Sequence, residues 1–267
     1  MAAGSSTAQE EAEYSIVQEG RCVPLSPISG EVPVEEVYNY QMREGRWNGT
    51  AGASDDGGPY YASKGLEGIL RENTSHLFLY DGPEGLSLVV IHGKPGASGG
   101  GNGNAGGGGN GNAGGGGNGN AGSNGGGGGN GNAGGNGGGG GSATFTIAGL
   151  PEDGSWVVKD DFYLDPETGE QHASNFDVWR DGEEPQTIAW TWADRATDGG
   201  AFRDLGSDFE FEIAPGFNDD AMRLAKNYDG EVTEWQVLSG PTADLGRTSL
   251  ALDAPVTVRA TACSESD

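Results

Sequence analysis

Positive charge is what this sequence has least of. Its 14 Lys and Arg stand against 40 Asp and Glu, only 4 of the 14 are Lys, and the formal net charge is −26. A chain that neutralises phosphates needs a basic face, so nucleic acid and anionic membrane surfaces are excluded as partners. No apolar run is long enough to carry a helix across a bilayer, which leaves no expected transmembrane segment. Met1–Glu13 lacks the apolar stretch of a signal peptide. Histidine and cysteine are scarce too: His76, His92 and His172 are not at metal-ligand spacing, and the two cysteines lie far apart. No zinc motif results, and the reading expects no metal and no cofactor.

Side chains of any size are absent from one long segment. Residues 99–141 comprise 28 Gly, 10 Asn, 4 Ala and 1 Ser, with the unit Gly-Asn-Gly-Asn-Ala-Gly-Gly-Gly starting at Gly101 and Gly109, decaying at Gly117 and returning in part at Gly129. Such a tract reads as a charge-free coil, because glycine loses the most entropy on ordering and nothing here offsets that loss. A polyglycine-II-like bundle fits less well, since an eight-residue repeat is not a multiple of three residues per turn. A calcium β-roll needs Asp and large apolar residues, which the tract lacks. The strand signals on either side suggest that it replaces a loop inside one sheet. Lengthening a short turn to this size adds only about 2 kcal/mol of closure entropy.

Outside the tract the aromatic residues suffice for a core. Residues 1–12 read as a flexible tail and 13–267 as one domain interrupted by the 99–141 insertion. Short runs of alternating apolar residues, broken by Gly, Pro, Asp and Asn, give strands at His76–Tyr80, Leu86–His92, Ala143–Ala148, Trp156–Lys159, Thr187–Trp192, Phe209–Ile213, Glu234–Leu238 and Val256–Ala262. The expected fold is all-β: an antiparallel β-sandwich, Ig-like or jelly-roll-like, with one or two short helices and the Gly/Asn-rich loop insertion. Leu86–His92 is almost continuously apolar and should lie centrally. One helix is expected from Pro33 toward a stop at Gly45, and another from Asn218 through Lys226.

Few residues suggest chemistry. Gly96-Ala-Ser-Gly-Gly100 has the spacing of a nucleophile elbow, but no helix follows it, so it reads as compositional coincidence. The acidic pairs Asp160–Asp161, Asp165–Glu167 and Asp219–Asp220 could hold calcium or supply a hydrolytic pair, yet among so many acids they read first as solvated surface charge. Trp190 and Trp192 share one strand face; they are either a core anchor, which Ile188 on the same side favours, or an exposed platform for stacking a sugar ring. Cys22 and Cys263 bracket the folded region and read as a disulfide joining its first and last strands, which implies an oxidising compartment. The sequons at Asn48 and Asn73 are glycosylation acceptors that point the same way. So much negative charge repels itself in dilute solution and is screened in molar salt, where the Debye length falls to about 3 Å.

The stretches His76–Lys94, Ile188–Leu205 and Thr248–Val258 resemble uncharacterised secreted or cell-surface proteins of haloarchaea. That resemblance carries no catalytic signature. It implies a non-enzymatic extracellular or cell-surface protein of a halophilic archaeon, structural or adhesive, associating with itself or with other cell-envelope proteins. The alternatives are a carbohydrate-binding module using Trp190 and Trp192, with a glycan partner, and a secreted hydrolase.

Overall fold

A computed structural model of the protein describes residues 13–40, 63–66, 68–93, 141–162, 168–169, 177–192, 197–219 and 230–264. The described strands form two sheets. The first contains β1 (Tyr14–Gln18), β2 (Arg21–Leu25), β6 (Gly141–Ala148), β8 (Val178–Arg180), β9 (Gln186–Trp192), β11 (Glu210–Phe217) and β14 (Val256–Arg259), in the order β2-β1-β14-β11-β6-β9-β8. The second contains β3 (Ile28–Ser29), β4 (Thr74–Gly82), β5 (Gly85–Gly93), β7 (Ser155–Lys159), β10 (Thr197–Arg203), β12 (Glu234–Ser239) and β13 (Gly246–Leu250), in the order β13-β12-β4-β5-β10-β7, with β3 also beside β4.

The two sheets pack face to face, as an all-β sandwich requires. Ile16, Phe145, Trp190, Phe211, Trp235 and Val256 are among the side chains buried between them. The first sheet is wholly antiparallel. The second is mixed, because β12 and β3 both run parallel to β4, end to end along one of its edges. That is a departure from the purely antiparallel expectation, made possible by the long connections that precede β4 and β12.

The second sheet is covered on both faces. Its far side carries Phe78, Tyr80, Val89 and Ile91, packed under the short helix α1 (Val34–Tyr38) and a 3-10 turn at Lys64–Leu66. This double burial explains why β4 and β5 are apolar almost throughout, while β6 and β11 of the first sheet alternate between buried and wetter positions. The helix is shorter than expected: Asn39 turns left-handed (φ 50°) and returns its N–H to the Glu35 carbonyl at 2.8 Å, which stops the helix well before Gly45. The helix expected after Asn218 falls mainly on residues outside those described. Asn218 itself is left-handed (φ 62°), and its amide clamps Val232 through bonds of 2.7 and 2.9 Å.

The Gly/Asn tract also differs from its expected place. β5 precedes it in one sheet and β6 follows it in the other, so it crosses between the two layers instead of forming a loop within either. Of the tract, only Gly141 is among the described residues; it opens β6 beside Trp192, where an added Cβ would lie 2.8 Å from the indole.

Candidate functional site

Strand ends from several parts of the chain lie together at one end of the sandwich. His92 of β5 pairs with Ser75 of β4 and with Asp198 of β10; Gly141 of β6 pairs with Trp192 of β9; and Phe217 of β11 pairs with Ala143. Connections over 94–140, 193–196 and 220–229 start or finish here, and so does the one over 163–176, because the Asp160 N–H reaches the Gly199 carbonyl at 3.2 Å. Ser63, just after residues 41–62, joins them through its N–H to Thr197 Oγ1 at 3.2 Å. The opposite end carries the turns at 82–85, 148–155, 180–186 and 203–210, and β3 also finishes there, its Ser29 beside Asp81, before the chain returns to the crowded end at Thr74.

At the crowded end four aspartates, from three separate parts of the chain, converge inside the protein. Asp160, Asp177 and Asp198 are essentially inaccessible, and Asp161 is buried as well. The Tyr38 hydroxyl donates to Asp160 Oδ2 at 3.1 Å, and the Asp161 N–H donates to Asp160 Oδ1 at 3.0 Å. The Tyr40 hydroxyl lies 3.4 Å from Asp161 Oδ1 and accepts the Asp161 N–H at 3.0 Å. Asp177 Oδ1 and Asp198 Oδ2 both accept from one donor, the Thr191 N–H, each at 3.0 Å. Asp198 Oδ1 also accepts from the Gly199 N–H at 2.8 Å.

Burial is the main cause holding the carboxyls of Asp160, Asp177 and Asp198 well above the usual range, with repulsion among the cluster's own acids adding to it. The Tyr38 hydroxyl is pushed upward by burial and then by the Asp160 charge. With both carboxyl groups converging on one N–H, the second charge of the Asp177–Asp198 pair is the costly one, and burial and mutual repulsion both favour a protonated form. Among the described residues no group of three or more His, Cys, Asp or Glu is arranged to hold a metal ion.

Asp160–Asp161 is therefore not the solvated surface charge expected of it, because the pair is buried and Tyr38 of α1, Tyr40 and the end of β10 close over it. Asp165, Glu167 and Asp220 lie outside the described residues; Asp219 is exposed, and its carbonyl accepts from Ser142 Oγ at 2.6 Å. The Gly96–Gly100 elbow, His172 and the Asn48 sequon also lie outside them. Asn73 is half-buried at the start of β4 in a left-handed conformation (φ 54°), and its carbonyl accepts from the Thr233 and Glu234 N–H groups at 2.8 and 3.3 Å.

Trp190 and Trp192 are in the core, at 0% and 3% exposure, so neither offers an open ring face and the sugar-stacking platform is removed. Trp190 Nε1 donates to the Gly199 carbonyl at 3.1 Å. Between them lies His92, its ring stacked on Trp192 (5.0 Å, 11°) and 4.9 Å from Trp190, with Phe145 edge-on at 5.4 Å. Among the described residues neither His92 ring nitrogen has a hydrogen-bond partner, and burial lowers its pKa to about 3.

Cys22 and Cys263 form a disulfide, with Cα atoms 5.7 Å apart and 241 residues between them in sequence. It joins the edge strand β2 to the segment that follows β14, across the intervening β1. Compared with known proteins, the chain matches no family model, no curated protein and no solved structure.

Proposed function

We propose that the protein is a non-enzymatic structural or adhesive component outside the cell of a halophilic archaeon, working as a covalently closed scaffold. The observation that carries this reading is the Cys22–Cys263 disulfide around a sandwich whose long connections all start or finish at one end. Sandwiches of this kind use a rigid body to present variable connections to a partner. The net charge of −26 adds the environment, since repulsion of that size is relieved in molar salt. The partner is a second copy or another envelope protein, met through the crowded end.

Electron microscopy of the purified protein in molar salt tests the reading: ordered polymers or surface-bound arrays are expected, and dispersed monomers under every salt condition would overturn it. Its melting temperature should also rise steadily from low to molar salt; a flat response would remove the halophilic part.

A secreted hydrolase is the second reading, and the observation favouring it is the convergence of Asp160, Asp177 and Asp198, whose carboxyls burial holds above their usual range. Turnover of a polysaccharide or peptide that is lost in Asp198→Asn would establish it.

A further inference from the structure

The disulfide closes a ring that holds residues 23–262, and therefore every strand except β1, together with the four aspartates and the Gly/Asn tract. A pull that enters before Tyr14 and leaves after Cys263 has only one non-covalent stretch to cross. It travels along β1, round the turn at Glu19–Gly20 to Cys22, and then through the sulfurs to Cys263. We infer that Cys22–Cys263 is a force bypass: tension on the two ends of the fold is carried by the disulfide and by β1 alone, and the sandwich stays folded under load.

The geometry of β1 suits that task. Tyr14 pairs with Leu25 while Val17 pairs with Cys22, so the entry and exit points are offset by three residues along the strand and by one strand across it. Load then runs mostly parallel to β1 and shears its ladders, instead of opening them one bond at a time. Ladders flank β1 on both sides, to β2 and to β14. Side chains pin it as well. Ser15 Oγ donates to the Thr261 carbonyl at 2.6 Å and accepts from Arg259 Nε at 3.0 Å. Gln18 Nε2 donates to the carbonyls of Ala251 and Ala254 at 3.0 and 2.9 Å, and Gln18 Oε1 accepts the Ala251 N–H at 2.6 Å. Each of these acceptors and donors belongs to the C-terminal part of the ring, so β1 is fastened to the same body that the disulfide anchors.

This inference extends the structural reading above but does not need the protein to be outside a cell. Optical tweezers with handles on both ends of the full chain, in molar salt, test it. Oxidised molecules should lengthen by one step of about 2 nm as β1 shears free, eight residues drawn straight at about 3.6 Å each less their starting span. After reduction in the instrument, the ring's 241-residue separation is released and the extension should grow at least tenfold. The Cys22→Ser and Cys263→Ser double variant, checked for β-sheet content first, should behave as the reduced protein does. Oxidised molecules that lengthen by tens of nanometres would overturn the bypass, and so would reduced molecules that lengthen no more than oxidised ones. A 2 nm step in a protein that never assembles or reaches a surface would sink the structural reading and leave the bypass standing.

Discussion

His92 and Asp198 face each other across two paired strands in very different surroundings, and their contributions to stability change with pH in opposite directions. Around His92 are aromatic rings with no polar partner, and they make the cation costly. Around Asp198 are other carboxyls and backbone N–H groups, and burial first, then the negative charge of Asp177, pushes its carboxyl well above the usual range. Burial does the same thing to both groups, favouring the neutral form; the sign of the pH response follows from which form is neutral.

For His92 the folded pKa is about 3, below the ordinary value of 6.5, so the folded protein binds fewer protons than the unfolded chain between those values. Stability is therefore lost as pH falls from about 6.5 toward 3. His76, also buried and also at about 3, acts in the same direction, through burial and then the nearby Arg247 charge. Asp160, Asp177 and Asp198 have folded values raised above 3.8, so their contribution is complete below that pH and is lost as pH climbs through the raised values. Between about 4 and 6.5 the two sets oppose one another, and above that range only the aspartates remain to titrate.

The largest expected effect comes from opening the aromatic surround of His92. Trp190→Ala removes a fully buried indole and its bond to the Gly199 carbonyl, and should cost about 3–5 kcal/mol in a denaturant titration in molar salt. A loss below about 1 kcal/mol would show that the surround is not close-packed. Next in size, His92→Phe keeps an aromatic ring but cannot titrate. At pH 4 its stability relative to the parent should rise by on the order of 3 kcal/mol compared with the same difference at pH 7. An unchanged difference between the two pH values would mean that His92 does not resist protonation.

Asp198→Asn probes the other group. An amide cannot ionise, and its oxygen can still accept from Gly199 although its NH2 then meets the Thr191 N–H, so the loss of stability as pH climbs above the ordinary carboxylate range should be shallower than in the parent. An equally steep fall in the variant would place the alkaline titration elsewhere. The smallest effect belongs to Tyr38→Phe, which deletes one donor to Asp160 and should cost about 1 kcal/mol at neutral pH, read as a lower midpoint in a chemical melt.

Much of the framework was legible because short-range pattern and long-range burial agree. The eight strongest apolar alternations all became strands, and Leu86–His92 took the central, doubly buried place that its continuous apolar run implied. β10 was not legible, since Thr197-Asp-Gly-Gly reads as a turn. Its glycines answer instead to close packing: a Cβ on Gly199 would lie 2.2 Å from the Val90 carbonyl oxygen, and one on Gly200 2.8 Å from both Trp179 and the Val158 carbonyl oxygen. The carboxyl cluster was hidden for a related reason. Asp160, Asp177 and Asp198 are ordinary acids in a chain with 40 of them, and only the meeting of β7, β9, β10 and α1 sets them apart. The one local hint is position, each standing at a strand end beside an aromatic or glycine-rich run. The disulfide, by contrast, needed only two cysteines and an even count.

Because the Gly/Asn tract passes from one layer to the other, severing it would split the polypeptide into a piece bearing β1–β5 and a piece bearing β6–β14, each supplying strands to both sheets. Cys22 sits on the first piece and Cys263 on the second. A nicked molecule would thus remain one covalent object, two interleaved halves that part only when the sulfur link is reduced and the strands are melted together.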